Sequence, residues 1–239
     1  GSEAVFLGVD GPTYGDGREC LADGALVLDG VDDLIQAGPN DALPLTKKES
    51  FTIAFWVKGP IQGDRRIFSE SSATDTNFLY NLGTANTGAT GALDFYFRDG
   101  TGAAAMEHRW STTPVMDGSW HHVVWSDANG TVTCWIDGVQ DATDFSYVRP
   151  ASLTQSVTTI GGIYRPTRDP PASSWLAGSV DDVRLYNYIL PEAEVLALYG
   201  HGPSHCCPVD GDTHCGGLTV EGPAEGTPDA IDPVTGFVT

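Results

Sequence analysis

Positive charge is scarce in this sequence: 12 Lys and Arg stand against 32 Asp and Glu, a formal net charge of −20. Such a field repels polyanions, so neither nucleic acid nor an anionic membrane surface is expected as a partner. Long apolar runs are also missing. None approaches the roughly 18–20 residues of a membrane-crossing helix, so membrane insertion is not expected. No signal-peptide pattern opens the chain, and its first pair, Gly1-Ser2, has the look of a cloning remnant, so the compartment has to be argued from cysteines. Two catalytic or metal signatures are lacking as well. There is no G-x-S-x-G nucleophile turn and no C-x-x-C pair.

What is present is a turn-rich, strand-rich chain. It holds 29 Gly and 15 Pro, which favour turns over helix. Asp outnumbers Glu, and short carboxylates serve turns and oxygen-ligated Ca²⁺ sites. Apolar runs of four to eight residues recur, among them 25–28, 51–58, 65–70, 77–82, 92–98, 103–110, 119–127, 131–137 and 156–162. Several alternate with period two. Leu93, Phe95 and Phe97 share one face of their run while Asp94, Tyr96 and Arg98 share the other. Asp99-Gly100, Asn129-Gly130 and Asp137-Gly138 are hairpin dipeptides. Ten or more short strands at such spacing predict an all-β, antiparallel sandwich or barrel. One helix is expected, from Pro191 to Tyr199, with acidic residues in its first turn and Gly200 to close it. Alternation stops near residue 201. Residues 1–201 are expected to form one domain and 202–239 a Cys/Gly/Pro-rich tail or linker.

Five cysteines are present, three of them crowded beside histidines in "HGPSHCCPVDGDTHC". A Zn²⁺ site is one reading, but adjacent Cys206 and Cys207 suit a single tetrahedral ion poorly. Disulfides are the other: Cys206 or Cys207 to Cys215, and the remaining one to Cys20. Cys134 is then left over as a free, buried thiol. Disulfides imply a secreted, extracellular or cell-surface location.

Four stretches in order, "GALVLDGVDDLIQAG", "SFTIAFWVK", "SWHHVVWSDANGTVTCWIDGVQDA" and "AGSVDDVRLYNYILPEAEVLALY", resemble consecutive motifs of the laminin-G-like jelly-roll family, within the concanavalin A-like lectin/glucanase superfamily. The resemblance spans about residues 5 to 200. It implies a two-sheet antiparallel jelly-roll sandwich with one short C-terminal helix. It further implies a non-catalytic extracellular binding module, a glycan or a cell-surface or matrix protein as partner, and a structural calcium. The family's Asp-Gly-x-Asp-Asp stretch corresponds to Asp29, Gly30, Asp32 and Asp33, and its acidic pair in the last strand to Asp181 and Asp182. If the two ends of the sandwich meet, Asp29, Asp32, Asp181 and Asp182 are expected to share a Ca²⁺; otherwise Asp29 and Asp32 cap a turn, and Asp181 or Asp182 accepts from Arg184 or backbone. The family's first strand, which lies beside the strand holding Asp181, has no counterpart here. "GGLTVEG" (216–222) is expected to fill that edge, in cis or from a neighbouring molecule, and an open edge there is a route to self-association.

Three function classes follow. A glycan-binding module needs exposed aromatics and converging polar groups. The loop "IYRPTRDPPASSW" (163–175) supplies Tyr164, Arg165, Arg168 and Trp175, with Asp75 of loop 70–77 as a rim. Arg149, Arg165 and Arg168 cluster in an otherwise acidic chain and suit an acidic or sulfated glycan. Tyr96, His108 and Trp110 on the middle strands are a second candidate. A structural, adhesive or filament subunit built through the open edge is the alternative. A glycosidase is disfavoured, since the fold's Glu-x-Asp-x-(x)-Glu strand is absent. His121-His122 matches a structural motif of the family, with one ring expected against Trp120 or Trp125.

Overall fold

The computed structural model describes residues 4–7, 12–15, 17, 24–37, 43–88, 90–201, 219–221, 231–232 and 237–238. The strands are, in chain order, β1 (Ala4–Leu7), β2 (Thr13–Gly15), β3 (Ala25–Asp29), β4 (Leu34–Ala37), β5 (Ser50–Lys58), β6 (Arg66–Ser71) and β7 (Leu79–Thr84). There follow β8 (Ala92–Arg98), β9 (Ala104–Pro114), β10 (His121–Ala128), β11 (Thr131–Ile136), β12 (Val139–Gln140), β13 (Phe145–Ser146) and β14 (Val157–Ile160). The last are β15 (Ile163–Tyr164), β16 (Ala172–Ser173), β17 (Ala177–Tyr186), β18 (Thr219–Glu221), β19 (Ile231–Asp232) and β20 (Phe237–Val238), with the helix α1 (Glu192–His201) after β17.

Two sheets form the sandwich. One has seven strands in the order β1-β4-β14-β6-β7-β8-β9. The other runs β12-β11-β10-β5-β17-β3-β2, with β13 added on β11 and β18 on β17. The core between them is the alternation read from the sequence. Phe51, Ile53, Phe55 and Val57 of β5 face Tyr80, Leu82, Leu93, Phe95 and Phe97 across the layers, all within one buried cluster. Phe95 stacks on Trp125 with ring centroids 3.8 Å apart, and the Trp125 indole N–H donates to Tyr80 Oη at 2.5 Å. A buried Trp needs that acceptor.

The two outer faces differ. On the larger sheet α1 covers the outside, with Ala54, Val124, Tyr186, Leu190 and Val195 packed together. His122 lies buried there, its ring tilted against Trp56 at 4.9 Å and stacked on Tyr199 at 6.1 Å. Its partner is therefore Trp56 of the neighbouring strand, not Trp120 or Trp125: β10 and β5 pair with His122 opposite Trp56. Cys134 is a free, fully buried thiol, and burial pushes its pKa well up. Cys20, Cys206, Cys207 and Cys215 lie outside the described residues, and with them the disulfide and zinc readings.

The tail returns to the sheet. β18 pairs in parallel with β17, Arg184 opposite Thr219, Leu185 opposite Val220 and Tyr186 opposite Glu221. The edge expected to be open beside the last strand is occupied in cis by the segment the sequence marked for it.

Candidate functional site

The two groups of acidic residues expected to share one ion are separated by register. β17 pairs with β3 so that Ala177 lies opposite Asp29 and Val180 opposite Leu26. Asp181 is thus four residues along β17 from Asp29's partner, about 13 Å at strand rise. Each group has its own local structure. Asp181 is buried, and its Oδ1 accepts the backbone N–H of Asp182 at 2.7 Å. Asp182 sits at a bulge, where the pairing with β5 shifts between Asp181 and Arg184, and its φ of +47° is one that Asp tolerates. The bulge turns its carboxylate onto Arg184, 2.8 Å away. A strand carries two adjacent carboxylates here because one braces a bulge and the other pairs with a guanidinium.

At the β3–β4 turn, Asp29, Asp32 and Asp33 converge, one ligand oxygen from each lying within 4.8 Å of the others. Asp29 Oδ1 accepts from the N–H groups of Val31 and Asp32, and Asp33 Oδ2 accepts from Asp29 N–H. Oxygens this close need only small side-chain rotations to meet one ion at the Ca²⁺–oxygen distance of about 2.3–2.6 Å. The residues therefore fit a calcium ion, with Asp33 in the place expected for Asp181 and Asp182.

The outer face of the seven-stranded sheet is polar, and its central side chains are buried. Register fixes its rows. Gln36, Thr159, Ser69, Asn81 and Tyr96 are successive cross-strand partners, and Arg66, Gly83, Asp94 and Trp110 form a second row. Short side chains in the middle and long ones at either side give these rows the pattern of a trough, with Ser69, Thr159 and Asn81 buried along it. Gly83 is required in it, because a Cβ there would lie 2.0 Å from the Arg65 carbonyl oxygen. On one wall His108 stacks on Tyr96 at 4.6 Å, and its Nδ1 lies 2.7 Å from Asp94 Oδ2. Trp110 is 47% exposed beside them. The trough holds buried polar atoms with no hydrogen-bond partner among the described residues: Gln36 Oε1, Ser71 Oγ, Asn81 Nδ2, Asp94 Oδ1, Arg66 Nε and Arg165 Nε. Each such atom costs about 1–3 kcal/mol unless something fills its valence. Six on one face mark a place where water or a ligand completes the network.

The 163–175 loop stands at the Arg66 end of this face. Its hairpin, β15 with β16, is tied to β6 by the Arg66 N–H donating to the Ser174 carbonyl at 3.0 Å. Tyr164 and Arg165 are half-buried and Arg168 exposed. Burial pulls the Arg165 pKa down to about 10, and the charges of Arg168, Arg66 and Arg98 push the same way. Trp175 packs at the base of the loop, where a Cβ on Gly162 would come within 3.0 Å of its ring. Asp75 is at the other end of the sheet and braces its own turn, accepting from Ser72 Oγ and Asn77 N–H. Arg149 also lies apart, donating to the Thr46 carbonyl. The face thus joins both sequence candidates, Arg165 with Tyr164 and the Tyr96–His108–Trp110 wall, and leaves out Asp75 and Arg149. Arg66, Asn81, Ser69, Thr159 and Gln36 were not anticipated. Asn81 and Ser69 alternate with core residues in their own strands, and that alternation is the signal that places them opposite the core.

The model of a family described as the concanavalin A-like lectin/glucanases superfamily, a laminin-G type, matches residues 29–196. The chain belongs to this superfamily. Among solved structures it is similar to domain 4 of AbnA, a GH43 extracellular arabinanase from Geobacillus stearothermophilus, in complex with arabinotriose: identity 22%, TM-score 0.53, 79% of this chain and 81% of that one. It is also similar to the botulinum neurotoxin binding domains of serotype D (11% identity, TM-score 0.58, 85% of this chain and 47% of that one) and serotype G (13%, 0.55, 77% and 44%). At these identities the likeness is one of fold. The chain spans less than half the length of the toxin domains. No protein of curated function matches. The expected all-β jelly-roll sandwich with one short helix is what the described residues form.

Proposed function

We propose that the chain is a non-catalytic extracellular module that binds carbohydrate on the outer face of its seven-stranded sheet. The observation that carries this reading is the set of six partnerless buried polar atoms in the trough, three of them on amide or carboxylate groups suited to sugar hydroxyls. Trp110 and the Tyr96–His108 stack supply flat apolar faces beside them, the complement of a pyranose or furanose ring. The arabinotriose complex of a similarly folded domain supports the same class of ligand. Hydrolysis needs two carboxylates, about 5–5.5 Å apart in a retaining enzyme. On the described face Asp94 is engaged with His108, and Asp64 at the rim is held by Arg66 at 2.7 Å. Both carboxylates are engaged, which favours binding over hydrolysis. The turn of Asp29, Asp32 and Asp33 holds a structural Ca²⁺ in this reading, which links the end of β3 to the start of β4.

A glycan array followed by calorimetry on the strongest hit tests the proposal. Binding is expected in the micromolar to millimolar range, lost in Trp110→Ala and in Asn81→Ala. Retained binding in both variants would place the ligand elsewhere, and an array with no hit at all would remove the carbohydrate reading. The subunit-assembly alternative depended on an open edge beside β17, and β18 lies on that edge.

A further inference from the structure

Basic side chains are concentrated at one end of the trough. Of the 12 Lys and Arg in the chain, Arg66 and Arg168 act on Arg165 at this end, and Arg98, from the Asp75 end of the sheet, adds a smaller push. Two of the four are committed. Arg98 donates to the carbonyls of Thr76 and Asn77, and Arg66 holds Asp64. Arg66 is only 5% exposed, yet its Nε has no partner among the described residues. Arg165 is half-buried beside it, its Nε likewise buried and without a partner there. Burying a guanidinium next to other cations is costly unless an anion joins them. Asp64, 56% exposed and already paired, is the counter-charge the protein provides at Arg66.

We propose that this end of the trough selects glycans bearing an anionic group, a carboxylate or a sulfate ester, held by Arg165 and Arg168 over Arg66. The inference rests on the carbohydrate reading of the same face. A guanidinium offers paired N–H donors that match either oxyanion. The overall charge of −20 does not forbid it. At physiological salt the Debye length is about 8 Å, so remote carboxylates are screened while Arg66, Arg165 and Arg168 are not. The depressed pKa of Arg165, pulled down to about 10, agrees with a cation held where its charge is unwelcome until an anion arrives. The hairpin that carries Arg165 and Arg168 pairs through only two residues in each strand. It therefore has little to resist a small outward movement as a ligand enters.

The test compares three oligosaccharide probes of equal length at fixed ionic strength by calorimetry: an oligouronate, its neutral methyl ester, and a sulfated neutral oligosaccharide. At least one anionic probe is expected to bind ten-fold or more tightly than the ester, and which one does so separates carboxylate from sulfate. Arg165→Ala is expected to abolish that preference, lowering affinity for the anionic probe ten-fold or more beyond any loss on the ester, and Arg165→Lys to retain part of it. Arg165→Ala is also expected to raise the melting temperature without ligand, because it removes a buried cation among cations. Equal affinity for all three probes overturns the anion inference and leaves the carbohydrate reading standing, as does an unchanged preference in Arg165→Ala. Failure of all three probes and of the neutral array overturns both.

Discussion

His108 Nδ1 lies 2.7 Å from Asp94 Oδ2, while Asp94 Oδ1, on the same buried carboxylate, has no partner among the described residues. Burial raises the Asp94 pKa, and the His108 hydrogen bond and the Arg66 charge only partly counter it. A raised carboxyl pKa means the fold favours the protonated acid. Its stabilising contribution is complete below the unfolded value of about 3.9 and is lost as pH rises through the folded value. Asp94→Asn keeps the shape and removes the charge. The variant is therefore expected to match the wild type in thermal melts at pH 4 and to equal or exceed it at pH 7. Sugar affinity should fall about ten-fold. A variant markedly less stable at pH 7 would show that the His108 pair is structural.

Trp110 carries the ring-stacking part of the proposal. It is half-exposed, and its indole N–H reaches Asn86 Oδ1 at only 3.3 Å, so little of the fold depends on it. Trp110→Ala is expected to change stability by less than about 0.5 kcal/mol while costing about 1–2 kcal/mol of binding, roughly a five- to thirty-fold loss. Chemical denaturation and calorimetry on the same preparation separate the two effects.

Asp141 joins the two sheets at one edge. It follows β12 of the larger sheet and accepts from the N–H groups of Thr112 and Thr113 at 3.0 and 2.9 Å, at the end of β9 in the smaller one, as well as from Thr112 Oγ1 and Thr143. Burial alone would raise its pKa, but these donors outweigh it and hold the carboxyl well below the usual carboxylate range. A depressed carboxyl stabilises fully above about pH 4 and loses that contribution as pH falls toward the folded value. Asp141→Ala is expected to cost about 2–4 kcal/mol at pH 7. Asp141→Asn should flatten the drop in melting temperature that the wild type shows below pH 4. An unchanged acid limb in Asp141→Asn would assign the acid sensitivity to other groups.

How far the sequence could be read depended on where strands are regular. Where alternation is unbroken, as in Leu93, Phe95 and Phe97 against Asp94, Tyr96 and Arg98, both the core and the polar face were legible. β6 is different. Its pairing shifts between Arg66 and Phe68, Ile67 and Phe68 both enter the core, and Arg66 emerges on the polar face out of step. Period two carries no notice of a bulge, so Arg66 escaped. The bulge at Asp182 gives its two carboxylates the local roles, acceptors from backbone and from Arg184, that stood as the alternative to the metal ligation implied by the family resemblance. Asp29 and Asp181 were expected to meet because the ends of the sandwich do meet. The particular register, Ala177 opposite Asp29, keeps them apart. The loop at 163–175 was identified from its Pro and Arg content, yet only pairing in space shows that Arg66 is its neighbour.

The tail makes a ladder of three residues on β17. Deleting 202–239 would leave the main-chain groups of Arg184–Tyr186 exposed on that side, an edge open to another strand. The truncated chain is expected to melt several degrees lower and to form concentration-dependent dimers on size-exclusion chromatography. Unchanged melting and a monomer at every concentration would show that the ladder contributes nothing.

Calcium divides the acidic groups by experiment. A cation that binds only the folded chain raises the melting temperature in proportion to the logarithm of its concentration above Kd. With Ca²⁺ in millimolar excess over EDTA-treated protein, a rise of several degrees is expected. If the ligands are those of the β3–β4 turn, Asp32→Asn and Asp33→Asn should each remove the rise, because each deletes one of three converging oxygens. Asp33→Asn should also lower the calcium-free melting temperature, since Asp33 Oδ2 accepts from the Asp29 N–H. Asp182→Asn should weaken the hold on Arg184 and leave the calcium response intact. The opposite pattern, a response lost in Asp182→Asn and kept in Asp32→Asn, would move the ion to the bulge on β17. No response in the wild type would leave the turn as a self-capped acidic corner, held by Asp29 Oδ1 and the N–H groups of Val31 and Asp32.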